Sequence, residues 1–129
     1  MKKLGDAEIE IMKILWRQSE PVTSGKILEE LSPYINWKLP SLMTALNRLA
    51  DKGFVNCDRS TRTNLYTAVI SEQEYQTQES RSFLERVFSN SLPSLVANLY
   101  DSKSISEKDL QELREWLDQV EEKDEGHIS

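Results

Sequence analysis

The stretch from Trp37 to Val55, WKLPSLMTALNRLADKGFV, predicts a short amphipathic helix that ends at a glycine and leads into a strand. At about 100° per residue its apolar side chains fall on one stripe. These are Leu42, Ala45, Leu46 and Leu49. Pro40 suits the first helical turn, where an amide donor has no partner, and Gly53 suits the left-handed residue just beyond the helix. One face of the helix is therefore available for contacts outside the core.

This second face has the composition expected of a helix that binds in the DNA major groove. Its middle, with Thr44 and Asn47, can meet base edges, while Arg48 lies on the flank, where a long cation can follow the phosphate backbone. Pro40 and Met43 lie on the same side. The alternative is an ordinary amphipathic helix in a helical domain, with its polar face in water.

The charge of the chain is unevenly distributed. The net charge is −6 over 129 residues, but residues 1–70 hold 10 Lys/Arg against 8 Asp/Glu, and residues 71–129 hold 6 against 14. Between Lys38 and Arg62 five cations oppose two acids. Because counterion release is local to the phosphates contacted, the first half can bind DNA while the acidic half faces away.

The composition argues against several other classes of protein. No apolar run approaches the roughly 20 residues that cross a bilayer, and the N-terminus lacks the apolar core of a signal peptide, so we expect a cytoplasmic protein without membrane insertion. The single cysteine, Cys57, excludes an internal disulfide, although a redox role near the hairpin stays open. His127 is the only histidine. With no phosphate loop and no ligand cluster, we expect no enzyme activity, no metal and no cofactor.

The order of predicted elements is that of a winged helix-turn-helix, a mainly α fold with a small β wing. A first helix is capped by Asp6, a second begins at Thr23 or Ser24, and two strands follow Gly53 as a hairpin. The turn DRSTRTN places Arg59 and Arg62 at the wing tip. The predicted DNA-binding domain is 1–71, with contacts from Lys38, Pro40, Ser41, Met43, Thr44, Asn47, Arg48, Lys52, Arg59 and Arg62.

From Ser71 the pattern changes to helices with broad apolar faces. Ser71 and Glu74 form a capping box, Pro93 fits a first turn, and Ser106 caps the last helix. About 55 residues cannot bury these faces alone, so a second copy of the chain is the simplest partner. The alternative is that the helices fold back on the first domain. We predict a helical dimerisation domain at 72–122 and a disordered tail at 123–129. The expected interface residues are Phe83, Leu84, Val87, Phe88, Leu95, Leu99, Leu110, Leu113, Trp116, Leu117 and Val120.

From about Leu4 to Glu121 the chain resembles the penicillinase repressor family. The resemblance is carried by LWRQ, MTALNRLADKGFV, ISEQEYQTQESRSFLERVF and SLPSLVANLYDS. It implies a dimeric winged-helix repressor of a resistance operon. The C-terminus has no cysteine, so the chain resembles the penicillinase branch more than the copper-binding branch.

The resemblance also implies how such a repressor is released. In the penicillinase branch a membrane-bound, β-lactam-sensing zinc metalloprotease cuts after an asparagine, which matches Asn98, followed here by Leu99 where better-known relatives have phenylalanine. Pro40 and Met43 also depart from the staphylococcal pattern, so we expect a different operator.

Three hypotheses about function follow. The first is a homodimeric repressor that binds a palindromic operator and is relieved by proteolysis. The second is a repressor of the same family that answers a different signal. The third is a winged helix used for protein interaction without DNA, which the acidic C-terminal half keeps open.

Overall fold

The computed structural model describes residues 3–127, with side chains to residue 123. Within them the chain forms six helices and three short strands. In chain order these are α1 (Asp6–Arg17), β1 (Val22–Thr23), α2 (Ser24–Leu31), α3 (Leu39–Asp51), β2 (Val55–Asp58), β3 (Leu65–Ala68), α4 (Glu72–Phe88), α5 (Leu92–Asp101) and α6 (Glu107–His127). None of the helices in this part of the chain is long and apolar enough to cross a membrane.

Local capping residues determine where the first three helices begin and end. The Thr23 hydroxyl accepts the Lys26 N–H at 3.2 Å, which confirms the predicted start of α2. Pro40 lies in the first turn of α3, and Gly53 has φ +85° just beyond its end, as predicted. The prediction that Asp6 caps α1 is wrong. The cap is Gly5, because the Glu8 carboxylate accepts the Gly5 N–H at 2.9 Å and so sets the helix start one residue earlier.

The hairpin belongs to a sheet with one more strand than predicted. The strand order is β1-β3-β2, and both pairings are antiparallel. Val22 is opposite Tyr66, and Thr23 is opposite Leu65. Because β1 has only two residues, it carries no alternating pattern that the sequence could show.

The chain divides after Ser80 into two compact units, which we call the N-terminal unit and the C-terminal unit. The sequence predicts this boundary at residue 71. The start of α4 belongs to the N-terminal unit because Tyr75 is buried there: its ring lies 6.0 Å from that of Phe54 and 5.9 Å from that of Trp16. The Trp16 indole N–H in turn donates to the Ile70 carbonyl at 2.9 Å.

A continuous core fills the N-terminal unit. The fully buried larger side chains come from α1, α2, α3 and the residue directly before β2. They are Phe54, Ile11, Met12, Ile14, Ile27, Leu31, Leu42, Leu46 and Leu49. Because three of them lie on the apolar stripe of α3, this helix is held with its polar face outward.

The C-terminal unit consists of helices with clear boundaries. Ser91 accepts the Ser94 N–H at 3.2 Å, and Ser106 accepts the Asp109 N–H at 3.1 Å, as predicted for a cap. The helix α6 continues to His127, so residues 123–127 of the predicted tail are helical, and residues 128–129 lie outside the described part. Lys123 to Glu125 are helix-compatible residue types, and nothing among them ends the helix.

Candidate nucleic-acid interface

The exposed face of α3 carries Ser41, Thr44, Asn47 and Arg48. Their spacing of three and four residues aligns them along one side of the helix. On the opposite side, the apolar stripe is buried in the core. The fold therefore presents these four predicted contact residues together, on a helix whose rotation about its axis is determined by the core.

Hydrogen bonding limits what the Thr44 side chain can offer a partner. Its hydroxyl donates to the Pro40 carbonyl at 3.0 Å, within the same helix. The hydroxyl proton is then engaged, while the oxygen retains acceptor capacity. Thr44 is therefore arranged to accept a hydrogen bond, or to make an apolar contact through its methyl group.

Met43, one of the predicted contact residues, is half-buried and packs against the core. Its sulfur lies 4.0 Å from the Tyr66 hydroxyl, which donates to it from β3. Burial raises the pKa of Tyr66, so the hydroxyl keeps its proton for this contact. Met43 thus links α3 to the sheet, and sequence analysis missed its partner Tyr66.

Lys52, another predicted contact residue, forms an ion pair within the protein. Its ammonium nitrogen lies 2.7 Å and 3.0 Å from the two carboxylate oxygens of Glu8. The Lys52 and Glu8 side chains are 23% and 13% exposed, respectively. Burial alone would raise the pKa of Glu8, but hydrogen bonds from Lys52 and the Gly5 N–H lower it overall. The Lys52 ammonium group is therefore paired with Glu8 at the end of α3 and does not lie on the exposed face of that helix.

The loop between β2 and β3 is the wing tip, and its basic side chains are exposed. Asp58 accepts hydrogen bonds from the Ser60 N–H at 2.9 Å and from the Ser60 hydroxyl at 2.6 Å, and these lower the pKa of Asp58. This local turn shapes the start of the loop. Arg59 and Arg62 are exposed on it, and Lys38 is exposed at the start of α3.

The predicted cleavage position lies inside α5. Asn98 is exposed and Leu99 is half-buried. The carbonyl of Asn98 accepts the Ser102 N–H at 3.0 Å, and the carbonyl of Leu99 accepts the Ser104 N–H at 2.8 Å. The carbonyl of the Asn98–Leu99 peptide bond and the carbonyl of the next peptide bond thus both accept backbone hydrogen bonds at the end of α5.

None of the predicted interface residues of the C-terminal unit is buried in the single chain. Among them, Val87 is 53% exposed and Trp116 is 55% exposed. Phe83 and Phe88 contact one another, with ring centroids 5.8 Å apart. The unit thus leaves apolar surface that its own helices do not cover.

Comparison with known proteins relates both units to one family. The model of the penicillinase repressor family matches residues 4–119. The penicillinase repressor of Bacillus licheniformis is 34% identical over 122 residues, which cover 92% of this chain and 94% of that protein. The methicillin resistance regulatory protein MecI of Staphylococcus aureus (strain N315) is 26% identical over 115 residues, covering 89% of this chain and 93% of that protein.

A solved structure is similar to part of the chain. It is the solution structure of the DNA-binding domain of the repressor BlaI, with a TM-score of 0.50 and 36% identity. The similarity covers 58% of this chain and 94% of that one. The fold is accordingly of the winged-helix type.

Proposed function

Because the chain belongs to the penicillinase repressor family, we propose that it represses transcription by binding a specific DNA sequence through α3. The observation that carries this proposal is the exposed polar face of α3 on a winged-helix fold whose core holds the helix from behind. In winged helix-turn-helix proteins the second helix of the pair enters the major groove.

The side chains of α3 and of the wing tip divide into two roles. Arg48 on α3 and Arg62 on the wing tip meet phosphates, which positions the protein without reading sequence. Asn47 can pair with adenine through two hydrogen bonds, and Thr44 can accept one from a base amino group or contact a thymine methyl group. Base preference therefore comes from the middle of α3, and general affinity comes from the cations around it.

A binding experiment tests this proposal. The full chain selects duplexes from a random pool, and fluorescence anisotropy then measures affinity for a selected duplex and its scrambled version at several salt concentrations. The salt slope is the slope of log affinity against log salt concentration. Arg48→Gln should lower its magnitude by about 0.9 for both duplexes, because one phosphate contact is lost. Thr44→Val should change the preferred sequence and leave the slope unchanged.

Lys13→Gln is a matched control, since Lys13 is an exposed cation on α1 paired with Glu10 at 3.4 Å. It should change neither slope nor preference. Equal affinity of the wild type for selected and scrambled duplexes contradicts the proposal. An absence of any salt-dependent affinity supports the alternative of a protein-interaction module.

The protein acts as a homodimer in this proposal. Support comes from the C-terminal unit, which has no buried side chain among residues 81–123. A symmetric pairing of two copies covers such a face on both chains at once. A dimer places two copies of α3 on a palindromic operator, about 10 base pairs apart or a small multiple of that. Sedimentation of the wild type over a range of concentrations tests this part.

Release by proteolysis completes the proposal, with the operon being of the β-lactam-resistance type. Cleavage between Asn98 and Leu99 removes α6 from the DNA-binding unit, and the loss of bivalent binding lowers affinity by orders of magnitude. Since the bond lies in α5, the helix must open before a protease can bind it as an extended chain. Co-expression with a membrane-bound sensor metalloprotease, followed by mass spectrometry of the fragments, tests the position. An intact chain during derepression favours a repressor that answers another signal.

A further inference from the structure

The ion pair between Glu8 and Lys52 lies at the corner between α3 and the wing. Lys52 directly follows α3, and its N–H donates to the Arg48 carbonyl at 2.9 Å. Gly53 then turns the chain with φ +85°, and the Phe54 N–H donates to the Leu49 carbonyl at 2.9 Å. A contact that fixes the position of Lys52 therefore also fixes the direction in which the chain leaves α3.

Glu8 is positioned by its own helix independently of Lys52. One of its carboxylate oxygens accepts the Gly5 N–H at 2.9 Å, which fixes the side chain across the first turn of α1. The same oxygen and its neighbour then accept both contacts from Lys52.

The other ion pairs found in the described part of the chain are longer and more exposed. Lys13–Glu10 and Arg17–Glu30 are single contacts of 3.4 Å and 3.5 Å, and both basic side chains are 52% exposed. The charge of Lys52 is thus the best compensated of the three.

We propose that Glu8 is a positioning residue for DNA recognition, which keeps the Lys52 ammonium away from phosphates and fixes the corner between α3 and the wing. This inference rests on the proposed DNA-binding function. In a non-specific complex the protein can shift along the duplex, so a released ammonium finds a phosphate. In the specific complex, base contacts fix the register. An uncompensated Lys52 therefore strengthens binding to random DNA more than binding to the operator.

Salt titrations of the full chain test the proposal with the selected duplex and its scrambled version. In Glu8→Gln the slope of log affinity against log salt concentration should steepen by about 0.9 for the scrambled duplex. Across a fourfold change in salt, the affinity should therefore change by about a further threefold. The ratio of selected to scrambled affinity should fall. Lys52→Gln should keep the wild-type slope, because its charge is already compensated. Glu10→Gln is the matched control on α1, and it should also keep that slope.

A double variant, Glu8→Gln with Lys52→Met, separates the released charge from any loss of stability. It lacks the ion pair just as Glu8→Gln does, but it has no cation to release, so its slope should return to the wild-type value. A slope that falls by about 0.9 in Lys52→Gln overturns the proposal, since Lys52 then contacts a phosphate. A Glu8→Gln slope equal to that of Glu10→Gln overturns it as well. A wild type without salt-dependent affinity is a different result, which refutes the DNA-binding function itself.

Discussion

Replacing Glu8 by glutamine should destabilise the N-terminal unit by an amount that the structure allows us to estimate. The carboxylate accepts two contacts from Lys52 and one from Gly5. A hydrogen bond to a charged group contributes about 1.5–3 kcal/mol, whereas an exposed ion pair contributes about 0–1 kcal/mol. Glu8 is 13% exposed and glutamine keeps one acceptor for Gly5, so we expect a loss of about 1–2 kcal/mol at neutral pH.

The pH dependence of this loss has a definite sign. Burial raises the pKa of Glu8, but the hydrogen bonds from Lys52 and Gly5 outweigh it, and the folded pKa lies below the ordinary value of 4.5. A carboxyl group with a lower pKa in the folded state contributes stability above its unfolded pKa, and that contribution is lost as pH falls through the folded pKa. The difference in unfolding free energy between wild type and Glu8→Gln should therefore be constant at neutral pH and shrink below about pH 4.5.

Urea unfolding at a series of pH values measures this difference. Tryptophan fluorescence, measured in a Trp116→Phe background so that only Trp16 and Trp37 contribute, reports the N-terminal unit. The Trp16 ring packs there 5.9 Å from that of Tyr75. Glu10→Gln serves as control and should cost at most about 0.5 kcal/mol, since its ion pair is exposed. A Glu8→Gln loss no larger than that of the control, or one that persists unchanged in acid, refutes the reasoning.

Three further predictions concern other parts of the fold. Tyr75→Phe removes the hydroxyl that accepts the Leu4 N–H at 3.4 Å, and it should lower the free energy of unfolding by about 0.5–1.5 kcal/mol. Tyr75→Ala should lower it by about 3–5 kcal/mol. Equal losses for the two variants in urea unfolding contradict this. Gly53→Ala should cost about 1–2 kcal/mol because of its positive φ, with Gly25→Ala as a control whose stability should change less. Trp116→Ala should weaken self-association about tenfold in sedimentation, and an unchanged dissociation constant excludes it from the interface.

Local chemistry explains why most element boundaries could be predicted. Thr23, Pro40 and Gly53 act on backbone groups within a few residues, so their effect is visible in a short window of sequence. The cap of α1 was misplaced because two adjacent residues can fill that role, and the position of Glu8 selected Gly5. The two-residue strand β1 depends on its partner β3, more than 40 residues away, and no local signal marks it.

The candidate site shows the same division between local and distant causes. Helical angles alone place Thr44 and Asn47 in the middle of the open face and Arg48 on its flank, and all three are exposed in the structure. Met43 and Lys52 lie at the flanks of the helix, where exposure depends on which element packs alongside. Tyr66 contacts Met43, and Glu8 binds Lys52 from 44 residues earlier in the chain. Helical periodicity within α3 does not predict contacts with residues so distant in sequence.

The uncovered apolar side chains of the C-terminal unit have a consequence for dosage. Residues 81–123 bury no side chain completely in the single chain. If two copies pair as proposed, the unit becomes more stable as the protein concentration rises, by an amount that grows with the logarithm of that concentration. In the proposed homodimer, occupancy of the operator then rises more steeply than the number of chains. A modest fall in the amount of protein, from slower synthesis or faster turnover, would lower repression out of proportion to the loss.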